Sequence, residues 1–324
     1  MKNFFSKLLT WSNSWVGTII IVLLVIFFVA QAFVIPSGSM KKTLLIGDHL
    51  FVKKFSYGTP TPHLPWLEIQ VLPDFFGNGH LIEGDRPERG DIVVFRYPKQ
   101  HKVHYVKRMI AVGGDEVLFQ DKHLYISFHE GEQWMKENYP QEKLHVIAGK
   151  TWVLNPYMEK FPGIQYDEDV NLFDYMMNRY ELNIIGNDFN MQPVEIDELP
   201  KNFNSKVNAF YKKIPEGEFY MVGDNRDHSN DSRFWGSVPY KLIVGKPWFI
   251  YFSWESRSFD KVLNGDENGS GKDHIDLKKA CNNISISSKE CRVIWDNKRY
   301  QLRWNRIGRF IETIEHDEKF LDGK

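Results

Sequence analysis

The chain has 324 residues, a formal net charge of −1 and 42% hydrophobic content, enough to bury a sizeable core beside a further short segment. That balance excludes a disordered protein and the overall basic surface of a nucleic-acid binder. With only two cysteines, Cys281 and Cys291, a Cys-rich zinc site and a dense disulfide framework are excluded as well; the pair is free to join in an oxidising compartment and stays reduced in the cytosol.

After a short start at residues 1–14, residues 16–35 are almost entirely apolar and lie between Lys7 and Lys41. About 20 apolar residues suffice for a helix to cross a bilayer, so a transmembrane anchor is predicted over 15–35, with Trp11 and Trp15 at its first interface. A cleavable signal peptide is the rival: Lys2 and Lys7 form a basic start and Ala30-Gln31-Ala32 resembles a cleavage site, but the apolar core is long for one. Orientation is undecided by charge, because Lys2 and Lys7 compete with Lys41, Lys42, Lys53 and Lys54 on the other flank. Pro36 ends the run, and Pro36-Ser37-Gly38-Ser39-Met40 follows, which sets two hydroxyls around a glycine near the lipid surface.

Short β-branched and aromatic runs behind turn residues predict strands over 50–52, 91–97, 104–112, 218–222 and 248–253. No long amphipathic helices separate them, which implies a mainly β, antiparallel fold. The stretch 57–76 is proline-broken yet apolar, suited either to dipping into an interface or to closing over a core. The catalytic core is expected over 36–117 and 217–255. Residues 118–216 are read as an inserted cap with a helix near 171–180. Residues 256–324 are read as an extension, with a turn-rich linker and strands near 291–295 and 300–304.

A serine hydroxyl attacks well only when a base takes its proton, so Ser39 needs an acceptor. Lysine serves when neutral, and lowering its pKa from about 10.4 to about 8 costs the charged form roughly 3 kcal/mol, which burial can supply. Lys107 is the candidate: strand alternation in His104-Tyr105-Val106-Lys107-Arg108 places it on one sheet face and Arg108 on the other. Ser37 is placed to stabilise an oxyanion beside the Ser39 N–H. Metal readings fail: His101 and His104 lack a His-Glu-x-x-His partner, and the calcium-like turn from Asp266 has Leu277 where a glutamate is required. Nor does a Gly-x-Ser-x-Gly elbow surround Ser39.

Together with Gly223-Asp224-Asn225-Arg226-Asp227-His228-Ser229-Asn230-Asp231-Ser232-Arg233, these segments resemble the bacterial type I signal peptidases, membrane-bound serine proteases. The likeness covers the anchor, 35–57, 90–117 and 219–239. It implies an antiparallel β fold with a variable cap, cleavage of signal peptides after an Ala-x-Ala-like sequence, and no metal or cofactor. By the same resemblance Ser39 is the nucleophile, Lys107 the general base, Ser37 an oxyanion donor and Ser229 the group orienting the lysine. Asp231 and Arg233 form a supporting ion pair, Asp224, Asn225, Arg226 and Asp227 build the loop, and Arg108 is structural. Ile35, Pro36, Tyr105, Val106 and Met221 are expected to line the substrate pockets. His104 stands where a carboxylate is expected, and His228 where an asparagine is usual. The implied partners are signal-peptide-bearing pre-proteins, membrane lipid and the export machinery, and the implied location is the bacterial inner membrane with the catalytic part outside. A self-cleaving repressor would share the Ser-Lys pair but lacks an anchor. A tethered scaffolding protein would retain these loops without catalysis.

Overall fold

The structure, a computed structural model, describes residues 10–64, 67–182, 189–201, 206–256 and 300–321. Cys281, Cys291, the linker and the expected strand at 291–295 lie outside these residues.

The apolar run does not stay helical. Trp15–Leu24 is α-helix, capped by the Ser14 hydroxyl, and Val25–Val29 continues as a π-helical turn. Ala30–Val34 is then a strand, paired in antiparallel register with Asp48–Lys53 from Ala30 opposite Lys53 to Val34 opposite His49. The expected helix over 15–35 is therefore corrected: the helical part reaches roughly 20 Å, short of a hydrocarbon core of about 30 Å. No described helix is long and apolar enough to cross a membrane. A partner strand decides the switch, because a short apolar run reads equally well in either conformation.

Two antiparallel sheets make the body. The larger runs Ala30–Val34, Asp48–Lys53, Ile243–Ser256, Ile92–Tyr97, Gln100–Val112, Glu218–Val222 and Val238–Pro239, with Tyr300–Leu302 and Arg309–Phe310 added along Ile243–Ser256. Ile92–Tyr97 lies in its centre, and its first five residues are all buried, as expected of a strand covered on both faces. The smaller sheet is built from Leu144–Ile147, Lys150–Leu154, His123–Ser127, Glu116–Gln120, Ala209–Lys213 and Gln192–Val194. Helix Leu172–Glu181, capped by Asn171, packs Phe173 and Met176 into the core beneath this sheet. Ile110, Ala111, Tyr220 and Val222 from the larger sheet join the same core.

The stretch after Tyr57 forms two small hairpins, Gly58–Pro60 with His80–Glu83 and His63–Leu64 with Ile69–Gln70. Leu67, Ile69, Phe75 and Phe76 remain exposed, while Tyr57, Pro60, Thr61 and Pro62 are buried; Pro65 and Trp66 lie outside the described residues.

Candidate active site

Residues 35–48 form a closed excursion. The Ile35 N–H donates to Asp48 O and the Gly47 N–H to Ile35 O, so both ends of the excursion are fixed to the sheet. Inside it Ser37 is extended, Gly38–Met40 makes one 3₁₀ turn, and the Leu44 N–H closes the next turn on Met40 O. Ile35, Met40 and Leu44 sink into one apolar cluster with Leu50 and Ile92. Burying these neighbours turns Ser39 toward the Gln100–Val112 strand.

On that strand Lys107 sits opposite Val93, with Tyr105 and Met109 two residues away on the same face. Its Nζ lies 2.7 Å from Ser39 Oγ and 3.1 Å from Val106 O, and the lysine is only 4% exposed. Burial pulls its pKa down to about 8; Asp231 and Asp224 pull it back up, and Arg233 lowers it. At neutral pH about one molecule in ten then carries an uncharged amine beside the hydroxyl.

The loop after Glu218–Val222 holds the serine turn from the other side. The Asn225 N–H donates to Ser39 O at 3.1 Å, and Asn225 Nδ2 to Gly38 O at 3.0 Å. Gly223 is needed for this approach, since a Cβ there would lie 2.3 Å from Ser229 Oγ and 2.5 Å from Ser39 O. Asp224 accepts both arms of Arg108, each at 2.8 Å, and the Thr43 hydroxyl at 2.6 Å. Burial raises the Asp224 carboxyl, but Arg108 more than offsets this and holds it below its ordinary value. Asp231 and Arg233 form a buried two-pronged pair, and Asp231 also accepts the Gly223 N–H. Asp227 accepts the N–H groups of Asp167 and Leu172, tying the loop to the smaller sheet's helix. Arg226 is buried and its carbonyl accepts from Arg233 Nη2, while His228 is exposed and pairs with Asp167.

Two expected site residues, Ser229 and Met221, are both buried. Ser229 is buried beside the serine turn, but its hydroxyl makes no hydrogen bond to Lys107; Ser39 Oγ and Val106 O are the lysine's partners. Met221 is fully buried opposite Met109, packed in the cluster that Tyr105 and Trp235 join. Pro36 and Ser37 are exposed, Tyr105 and Val106 half-buried, and Ile35 buried.

His104 contacts the Phe33 ring, and burial with nearby Arg96 and Lys54 pushes it down to about 3, so it is neutral. A carboxylate nonetheless stands at this edge. Glu68, from the stretch whose role was open, places Oε2 3.7 Å from His104 Nε2 and 3.4 Å from Arg96 Nε. Among the described residues, Asp115, His129 and Glu130 could together hold a cation, but the Arg89 guanidinium already lies among them at 2.7 Å from both acids.

A family model described as "Signal peptidase, peptidase S26" matches residues 8–254. Two curated relatives from Helicobacter pylori, each named signal peptidase I, are similar over 315 residues. That of strain J99 is 46% identical and that of strain 26695 is 51% identical, and each alignment covers 96% of this chain and 96% of the relative. Signal peptidase I of Pseudomonas aeruginosa is 32% identical over 268 residues, 79% of this chain and 77% of that protein. On this footing the chain belongs to the peptidase S26 signal peptidase family, a family of serine endopeptidases.

Proposed function

We propose that this enzyme cuts N-terminal signal peptides from exported pre-proteins after an Ala-x-Ala-like sequence, with Ser39 as nucleophile and Lys107 as general base. The observation that carries the reading is the 2.7 Å separation of Ser39 Oγ and Lys107 Nζ in a site that favours an uncharged amine. In the forward step Ser39 Oγ bonds to the scissile carbonyl carbon while Lys107 takes the hydroxyl proton. Lys107 then returns that proton to the leaving amine as the C–N bond breaks, and the acyl-enzyme remains. A water molecule, deprotonated by the same amine, releases the new carboxylate and restores the Ser39 hydroxyl.

The exposed Ser37 and the Ser39 N–H are the donors for the oxyanion, and Pro36, Tyr105 and Val106 border the cleft that takes the small side chains, with Ile35 buried behind them. Asp224, Arg108, Asp231 and Arg233 hold the framework. The nearly continuous exposed apolar surface of Trp15–Leu24 supports attachment to a membrane; the resemblance to type I signal peptidases supports a catalytic part on the outer side of the inner membrane, near the export machinery. The named activity of the relatives supports the substrate class.

The test is cleavage of one purified pre-protein with an Ala-x-Ala site by the detergent-solubilised chain. Ser39→Ala and Lys107→Ala are each expected to abolish product while leaving the circular dichroism spectrum unchanged. Retained cleavage by either folded variant overturns the dyad.

A further inference from the structure

Residues 300–321 lie outside the part matched by the family model, yet they reach the serine turn through their own fully buried Arg306 and through Arg108 of the Gln100–Val112 strand, also fully buried. Arg306 donates through Nη2 to Thr43 O at 2.9 Å and to Asp48 Oδ2 at 2.6 Å, and through Nη1 to Phe320 O. Glu315 accepts Arg108 Nη1 at 2.8 Å, and the same guanidinium holds Asp224, which accepts the Thr43 hydroxyl. Thr43 is thus gripped twice, by its carbonyl from Arg306 and by its hydroxyl from the Glu315–Arg108–Asp224 chain. It sits one turn beyond Ser39, where the Leu44 N–H bonds back to Met40 O.

We propose that Glu315 and Arg306 are positioning residues for the Ser39 nucleophile, and that the C-terminal segment 300–321 is a working part of the catalytic apparatus. The inference rests on the dyad reading above. Stability alone is a weak reason for such an arrangement, because burying ion pairs roughly cancels their attraction against desolvation. What forked guanidinium–carboxylate contacts supply is fixed geometry. That geometry converges on the one turn whose displacement by about 1 Å would spoil the approach of the hydroxyl to the amine and to a bound carbonyl. Ile311, Ile314 and Phe320 pack the segment into the same apolar cluster as Ile35 and Met40, so it has no freedom to drift from the turn it supports.

The test uses the full chain in detergent with the pre-protein substrate, comparing Glu315→Gln, Glu315→Asp, Arg306→Lys and Thr43→Val with wild type and Ser39→Ala. Positioning predicts that kcat falls ten- to a hundredfold in Glu315→Gln and Arg306→Lys with KM within twofold, and that Glu315→Asp recovers part of the loss. Thr43→Val removes one grip without stranding a charge, so it decides the matter if the charge variants fail to fold; its kcat is expected to fall several-fold. Wild-type kcat in the folded variants overturns the proposal while the dyad stands. Cleavage by Ser39→Ala instead overturns the dyad, and the positioning role with it.

Discussion

Lys107 Nζ and Ser39 Oγ meet at 2.7 Å although the two residues lie 68 positions apart and both are more than nine-tenths buried. The contact joins a strand interior to an irregular turn, so neither element alone dictates it. The same burial that lowers the pKa of the amine also makes it a liability for folding.

The first prediction concerns pH. With the lysine pKa lowered to about 8, kcat/KM is expected to rise about tenfold per unit below pH 8 and to level off above it. Initial rates on a pre-protein between pH 6 and 9 check this, and a flat profile contradicts Lys107 as base.

Stability should move the other way on removal of the amine. The folded-state pKa lies below the unfolded value near 10.5, so the penalty is fully present below pH 8 and is relieved as pH rises from 8 to 10.5. Lys107→Met is therefore expected to be more stable than wild type at pH 7 by about 3 kcal/mol, with the gap closing toward pH 10.5. Denaturant unfolding at the two pH values measures it; an unstabilised variant at pH 7 would show that the site does not penalise the ammonium.

Ser37→Ala removes an exposed hydroxyl two residues before Ser39 and should leave folding intact. If Ser37 donates to the oxyanion, kcat drops roughly ten- to a thousandfold with KM little changed. An unchanged kcat assigns the oxyanion to backbone groups alone.

Asp231→Asn strands the buried Arg233 and is expected to cost about 3–5 kcal/mol in thermal or denaturant unfolding. Asp231 also raises the lysine, so the pH–rate midpoint of the surviving folded enzyme should shift below that of wild type. A midpoint that stays put or rises would remove Asp231 from the electrostatics of the dyad.

Gly223→Ala tests the close approach of the loop to the serine turn. A methyl group there meets Ser39 O and Ser229, so activity is expected to fall at least a hundredfold, with a loss of stability of about 1–3 kcal/mol from overpacking. Near-normal turnover would mean that the loop yields without disturbing Ser39.

Strands such as Ile92–Tyr97 and Glu218–Val222 are legible in the sequence because turn residues bound short β-branched and aromatic runs. The sheet face of Lys107 follows from alternation alone. The end of the apolar helix does not, since Ala30-Gln31-Ala32 suits a helix as well as the residues before it; pairing with Asp48–Lys53 decides it. Glu68, Arg306 and Glu315 were equally unreadable: each reaches its partner across a long loop of chain and stands in no local pattern. Ser229 shows the converse limit, because a motif brings its hydroxyl near the site without specifying which atom it meets.

The join at Val29 and Ala30 has a mechanical consequence. The Lys54 N–H holds Val29 O, and the following five residues are locked in cross-strand register up to Ile35, leaving no hinge between the apolar helix and the excursion bearing Ser39. That strand spans about 17 Å and sets the separation between the last helical residue and the excursion that carries Ser39. Under the proposed function, a scissile bond is expected to be selected by its distance from that helix as well as by its sequence.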